Sequence, residues 1–391
     1  MPSLIRGSRF SALFSARPLK TLYLGTVPQR TLVKTGAKRQ HRLLEVRGSP
    51  YERGYQYGSH FKPLLKRLLQ ANYRYYSEVT GITKERLLRR AATYRKHTED
   101  FSSMVSDEIK GMADACDTKV NEIYVLAAFN ELYYPAPRNH CTSFAVRDGA
   151  TRDGITYVGQ NNDEAIEPWL DGDCVTLTRM VQKGAPSVLI YTYAGVPAQM
   201  GINSHGFALC VNALHYVRAT TGVPMFCLAR EVLNQKSVDD AIQIISDTKR
   251  PYSLNFVMGD TKSVVDVEAT PRSLEITRSE DIVCHTNHYV CSKDPGIGSQ
   301  LGRKYRNTKT RCRRIEELLM SKSGKLDLTI LETFLRDHEN WPDAICCHSG
   351  AREGAGAKVK TFDSMIYIPE KREAWLTRGN PCEAEYQRYS A

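Results

Sequence analysis

Acidic residues are missing from the first 44 positions of this chain. That segment carries nine lysines and arginines, and the first acidic residue is Glu45. Nine units of the net charge of +11 therefore come from residues 1–44. The rest of the chain is nearly neutral, which argues against a nucleic-acid-binding surface.

Long apolar runs are missing as well. No window approaches the roughly 18 apolar residues that a membrane-spanning helix needs. The basic segment also lacks the continuous apolar core that is typical of a secretory signal. Rich in arginine, serine and threonine and free of acid, residues 1–44 have the composition of a mitochondrial transit peptide. We expect a mitochondrial matrix location. The alternative is a cytoplasmic protein with a disordered basic tail.

Neither a CxxC pair nor an HExxH motif occurs. The 11 cysteines are odd in number and follow no repeating spacing, which indicates free thiols in a reducing compartment rather than a disulfide framework. We expect no metal and no resident cofactor. Several cysteines lie in apolar, strand-like stretches and are expected in the core, namely Cys174, Cys210, Cys227 and Cys284.

Hydrophobic periodicity divides the remaining chain into two parts. Helical spacing runs to Tyr134, and mostly alternating strands separated by short turns follow from Cys141, with helices inserted among them. This pattern predicts an α+β fold of antiparallel sheets covered by helices. The expected organisation is a tail at 1–44, a helical segment at 45–140 and a strand-rich segment at 141–391, with 45–391 forming one folded unit.

Cys141 occupies an unusual position, because it opens a strand directly after the breaker-rich stretch "YYPAPRNH". A buried structural cysteine is the default interpretation. The alternative is a nucleophile that becomes an N-terminus when the His140–Cys141 bond is cut. A free α-amino group has a pKa of about 7.7–8.0 and could serve as the base for the thiol of the same residue.

Three further motifs place polar residues after apolar strands. In "YVGQNNDE", a hairpin would bring Asp163 back beside Cys141, although an ordinary polar turn explains the motif equally. In "CHTNHY", Cys284, His285 and His288 would not converge on a metal from a strand, whereas the Asn287 amide could donate to an oxyanion. In "GINSHGFALCVNAL", Asn212 either lines a site or belongs to a turn.

Taken in order, "CTSF", "GQNND", "NSHGFALCVNAL" and "CHTNHY" resemble the acyl-coenzyme A:6-aminopenicillanic acid acyltransferase family. This family, also called the isopenicillin N acyltransferases, consists of cysteine N-terminal nucleophile (Ntn) hydrolases and includes the insect N-β-alanyl-dopamine hydrolase. The stretches "VRGSPYERGYQYG" and "MIYIPEKREAWLTRGNP" extend the resemblance from about Leu43 to Pro381.

The resemblance implies an αββα sandwich made as a precursor that cuts itself before the nucleophile. By motif, Cys141 is the nucleophile, Asp163 holds the new α-amino group and Asn287 belongs to the oxyanion hole. Gln160 and Asn212 match positions that line the site.

Two features depart from the family pattern. His140 stands where glycine is expected before the cleaved bond. A basic residue is expected shortly before the final hairpin, and Lys358 fits best, with Arg352 and Lys360 as rivals.

The activity implied is amide hydrolysis of linear N-acyl amines or N-acyl amino acids through a thioester. One alternative is an N-acyltransferase that uses acyl-CoA as co-substrate, and another is an unprocessed, non-catalytic binding relative. The expected ligand is a small molecule, with no nucleic acid and no membrane span. A processed protein would be an α/β heterodimer derived from one precursor.

Overall fold

Helices fill most of residues 50–132, as predicted. The computed structural model describes residues 40–132, 141–167, 169–217, 220–349 and 358–391. A capping box between Ser49 and Glu52 starts the first helix, and the Thr83 side chain caps the second. The helices of this part are α1 Pro50–Thr80, α2 Lys84–Phe101, α3 Ser103–Ala115, α4 Val120–Ala127 and α5 Phe129–Leu132.

Glycines let α1 and α3 approach each other closely. A Cβ atom at Gly54 would overlap the Glu108 carbonyl, and one at Gly111 would overlap the Tyr51 carbonyl. The close contact brings Glu108 against Arg53, with 2.7 Å between Oε1 and Nη2. The same carboxylate accepts from Arg230 at 2.8 Å, so this buried ionic cluster links the first third of the chain to a later helix.

The strands of the described chain form two sheets. Their order is β1-β4-β5-β6-β7-β8-β9-β10 in one and β11-β2-β3-β12-β13-β14 in the other. The strands are β1 Leu43–Arg47, β2 Thr142–Asp148, β3 Gly154–Ala165, β4 Val175–Val181, β5 Val188–Tyr193, β6 Met200–Asn203, β7 Ala208–Ala213, β8 Leu254–Gly259, β9 Val264–Ala269, β10 Leu274–Ser279, β11 Ile282–His285, β12 Val359–Ile368, β13 Glu373–Leu376 and β14 Gln387–Ser390.

Four layers result from the packing of these elements. β2 and β3 lie face to face with β7 and β8 of the other sheet. Helices α1 and α7 pack on the strands of the larger sheet, whereas α8 packs on β2 and α9 on β3. The predicted α+β sandwich is confirmed. The later helices are α6 Met225–Val232, α7 Val238–Asp247, α8 Arg303–Ser321 and α9 Leu328–Leu335.

The folded body begins earlier than predicted. Leu43 and Leu44 belong to β1, which pairs in parallel with β4, and His41 is buried with its Nε2 3.0 Å from the Thr377 carbonyl oxygen. The boundary placed after residue 44 is therefore a few residues too late, and one strand pair is parallel. Among the described residues, no helix combines the length and the apolar character needed to cross a membrane.

Candidate active site

Cys141 lies immediately before β2, at the edge of the layer between the sheets. Thr142 pairs with Asn161 of β3, so the predicted hairpin does return beside the cysteine. The Cys141 Sγ atom is 3.8 Å from Asn162 Oδ1 and 3.9 Å from the Asp163 carbonyl oxygen. The thiol is buried. His140 and the proposed cleavage site lie outside the described residues.

Asp163 is fixed from the neighbouring strand. It pairs with Thr361 of β12, whose hydroxyl donates to Asp163 Oδ1 at 2.6 Å. Thr361 is held in turn by Cys347, which donates its backbone N–H to the Thr361 hydroxyl at 2.9 Å and accepts from the Thr361 N–H at 2.8 Å. The carboxylate beside Cys141 is thus oriented by a chain of short hydrogen bonds.

The surroundings of Cys141 disfavour a thiolate in the intact chain. Burial raises the pKa of the thiol well above its usual range, and the negative charges of Asp163 and Glu164 raise it further. A positive charge beside the sulfur would act in the opposite direction. An α-amino group released at Cys141 would place such a charge on the same residue.

This environment predicts how the thiol reacts with alkylating agents. In the uncut chain, iodoacetamide should modify Cys141 at least about ten times more slowly than the exposed Cys291 at pH 7, because the thiolate is the reactive form. The alkylation rate of Cys141 should keep rising above pH 8.5, which is the pKa of an ordinary thiol. Peptide mass mapping over a pH series measures both rates, and equal rates at neutral pH would contradict the burial argument.

Asn287 is connected to Cys141 by Arg311 of α8. The buried guanidinium donates to the Cys141 carbonyl oxygen at 2.6 Å and to Asn287 Oδ1 at 3.1 Å. Asn287 Nδ2 donates to the Ala213 carbonyl at 3.1 Å. Because one Nδ2 hydrogen is donated to the Ala213 carbonyl, the amide has its second Nδ2 hydrogen left to donate to a ligand.

Arg311 was not among the residues predicted from the sequence. A weak signal was present, since Arg311 falls four positions before Ile315 and eight before Leu319, on the buried stripe of α8. Its Nε donates to Asn307 Oδ1 at 3.1 Å. Buried arginine is rare unless it is paired, so its place on this stripe indicates a specific set of acceptors.

Gln160 and Asn212 lie between the two sheets. Gln160 Nε2 donates to the Val211 carbonyl at 2.9 Å, and the Ser143 hydroxyl donates to Asn212 Oδ1 at 2.6 Å. Within the described residues, the buried Asn212 Nδ2 has no hydrogen-bond partner. These two residues therefore belong to the polar layer that backs the Cys141 strand.

Among the described residues, the basic residue expected near the C-terminus is not found beside Cys141. Lys358 is exposed, and its carbonyl accepts from the Ile166 N–H at 2.9 Å. Lys360 Nζ lies 2.6 Å from Asp171 Oδ1. Neither contact joins these side chains to the buried group around Cys141, and Arg352 lies outside the described residues.

The three possible metal ligands of "CHTNHY" make different contacts. His285 is buried with Nε2 3.1 Å from Glu268 Oε1. Burial lowers the pKa of His285, but the charges of Asp266 and Glu268 outweigh it and raise the pKa to about 9. His288 instead approaches the Thr308 hydroxyl at 3.2 Å, and Cys284 interacts with Cys312. The motif therefore forms buried polar contacts.

A family model described as acyl-coenzyme A:6-aminopenicillanic acid acyl-transferase matches residues 150–383. The match covers more than half of the chain, which therefore belongs to this family. The chain is also 24% identical over 352 residues to the 40 kDa form of acyl-coenzyme A:6-aminopenicillanic-acid-acyltransferase from Emericella nidulans, covering 85% of this chain and 91% of that protein.

Two solved structures show a more distant likeness. A conjugated bile acid hydrolase from Clostridium perfringens is 13% identical with a TM-score of 0.40, over 64% of this chain and 97% of that chain. Penicillin V acylase from Agrobacterium tumefaciens is 12% identical with a TM-score of 0.36, over 61% and 74% of the two chains. Similarity at this level says nothing about the activity of this chain.

Proposed function

We propose that this protein is a self-processing cysteine amidohydrolase that cleaves linear N-acyl amines or N-acyl amino acids. The observation that carries the proposal is a buried thiol immediately before β2, beside the strand that holds Asp163. Arg311 connects the Asn287 amide to the Cys141 carbonyl. Nucleophile, ammonium partner and oxyanion donor are thereby available in one small region.

Processing begins with attack of the Cys141 sulfur on the His140 carbonyl carbon. The bond from that carbon to the Cys141 nitrogen breaks, the nitrogen takes up a proton, and a thioester joins His140 to the thiol. Water then hydrolyses the thioester, which leaves a carboxylate on His140 and a free α-amino group on Cys141. The nucleophile and its base then reside on one residue.

Substrate turnover repeats the same chemistry on an external amide. The α-amino group takes the thiol proton, and the sulfur attacks the acyl carbonyl. Asn287 Nδ2 donates to the developing oxyanion, and the ammonium group, oriented by Asp163, protonates the leaving amine. Water then attacks the thioester with the amine as base and releases the acid.

The second candidate is an acyl-CoA-dependent N-acyltransferase. The description of the family and the relative from Emericella nidulans favour it. The two reactions differ in what forms and what resolves the thioester. In the transferase, acyl-CoA would donate the acyl group to the Cys141 sulfur, and an amine would take the place of water in the second step. The residues placed around Cys141 serve both reactions.

Mass spectrometry of products tests the proposal. Processed protein is incubated with a series of N-acyl amino acids, and separately with acyl-CoA and free amines. We expect amine release from the N-acyl substrates without CoA, and none with Cys141→Ala. Amide formation that depends strictly on acyl-CoA would favour the transferase. A processed protein that turns over neither series would contradict both activities.

Mitochondrial import of this enzyme is a separate proposal, supported by the acid-free, basic composition of residues 1–44. A fluorescent reporter carrying these residues should accumulate in mitochondria. The matched control replaces the nine lysines and arginines by glutamine and should remain cytosolic. A wild-type fusion that stays cytosolic would contradict the proposal.

A further inference from the structure

Four potential metal ligands outside "CHTNHY" converge beside β12 of the smaller sheet. They are His338, Cys346, His348 and Cys382, and their ligand atoms all lie within 4.8 Å of one another. The Nε2 atoms of the two histidines are 3.1 Å apart, and the two sulfurs are 3.6 Å apart. His348 Nε2 lies 3.7 Å from Cys346 Sγ and 3.2 Å from Cys382 Sγ.

Four of the six separations among the ligand atoms match the edges of a zinc tetrahedron. Zinc binds sulfur at about 2.3 Å and nitrogen at about 2.0–2.1 Å in tetrahedral sites. Such a site has edges of about 3.8 Å between sulfurs, about 3.3 Å between nitrogens and about 3.6 Å between nitrogen and sulfur. Each of the four measured separations among His338, Cys346, His348 and Cys382 lies within a few tenths of an ångström of its expected edge.

We propose that these four residues bind one zinc ion as a structural site. Two thiolates and two imidazoles in a tetrahedral arrangement are a ligand set that zinc prefers. Four protein ligands close the coordination shell, which is typical of structural rather than catalytic zinc. His338 and Cys382 are exposed, so an ion can reach the site from solvent.

The surroundings also orient one ligand. His348 presents Nε2 to the cluster, and its Nδ1 lies 3.6 Å from Glu383 Oε1. A carboxylate beside the second ring nitrogen is a common outer partner of a zinc-bound histidine. Cys347, between two ligands, turns away, and its Sγ lies 3.6 Å from the Val359 carbonyl oxygen. The cluster therefore selects Cys346 and His348 and leaves out the cysteine between them.

The site would support the active-site strand. Its ligands flank Cys347, whose backbone holds Thr361, and Thr361 donates to Asp163 at 2.6 Å. Asn380 Nδ2 also donates to the Cys347 carbonyl at 2.7 Å, which ties in the segment that carries Cys382. Zinc would fasten these segments together behind the Asp163 carboxylate. This last consequence rests on the proposed function, whereas zinc binding does not.

Metal analysis of the full chain, purified under reducing conditions, tests the proposal. We expect about one zinc ion per chain by elemental mass spectrometry, as in other structural sites. Cys382→Ser and His338→Gln, at exposed positions, should each lower the zinc content at least about tenfold. Cys291→Ser removes an exposed thiol outside the cluster and should keep the ion.

Two further measurements distinguish a zinc site from a metal-free cluster or a disulfide. Substitution by Co²⁺ should give the visible absorption of a tetrahedral thiolate site, lost in both ligand variants. A chelator should lower the thermal unfolding midpoint of wild type but not of Cys382→Ser. Metal-free reduced protein, a Cys346–Cys382 disulfide in place of metal, or zinc retained by both variants would each overturn the proposal. Amidase assays are independent, so failure of the proposed function leaves the zinc result standing.

Discussion

Cys141→Ala is expected to yield one uncut chain where the wild-type protein yields two. Alanine has no nucleophile to attack the His140 carbonyl, so the first bond of the processing reaction cannot form. Cys141→Ser should process slowly or not at all, because the hydroxyl is a weaker nucleophile. Intact mass spectrometry distinguishes chains that meet at His140 and Cys141 from a full chain of 44.2 kDa.

A matched control is the same substitution at another buried thiol. Cys210 is fully buried in β7, and Cys210→Ala should process normally even if the protein loses some stability. A Cys141→Ala chain cut at the same bond would show that another residue or a separate protease cleaves the chain. A wild-type chain that remains uncut would leave Cys141 without its base and make the binding relative the better hypothesis.

Asn287→Ala should lower kcat about 100- to 1000-fold, the usual effect of removing one oxyanion donor. KM should change much less, because the Nδ2 donor interacts most strongly with the charge that develops in the transition state. Steady-state kinetics on the processed fraction of the variant measures this split. The same donor would serve the processing reaction, so the variant should also mature slowly.

Asn203→Ala is the control for the loss of a buried amide. Asn203 Nδ2 donates to the Leu233 carbonyl at 2.9 Å and to the Gln235 carbonyl at 2.7 Å. Its removal should lower the thermal midpoint and leave kcat within about threefold, because it takes no part in the proposed chemistry. A loss of kcat below about threefold in Asn287→Ala would remove this residue from the oxyanion hole.

Local signals in the sequence predicted much of the fold. The N-caps Ser237 and Asp327 accept from the backbone N–H three residues later, as expected of these side chains. Alternation predicted most strands from β2 onward and the hairpin that brings Asp163 to Cys141. The short strands β6 and β14 have four residues each, which is too few to show a clear period on their own.

Long-range contacts could not be predicted in this way. Arg311 comes 170 positions after Cys141, and only the packing of α8 on β2 makes it a neighbour. Cys382 comes 36 positions after Cys346, which is outside the usual spacing of zinc motifs. Periodicity describes which face of an element is buried, but not which distant element covers that face.

The buried ionic cluster of Arg53, Glu108 and Arg230 has a consequence for the fate of the cut protein. Arg53 and Glu108 precede the proposed cleavage site, and Arg230 follows it. Separating the fragments would leave Arg230 without its carboxylate, and breaking one buried pair costs about 3–5 kcal/mol. It would also strip β1 from the edge of the larger sheet. The two fragments should therefore co-elute on a size-exclusion column and unfold in a single thermal transition. They would form a stable complex without a covalent bond between them.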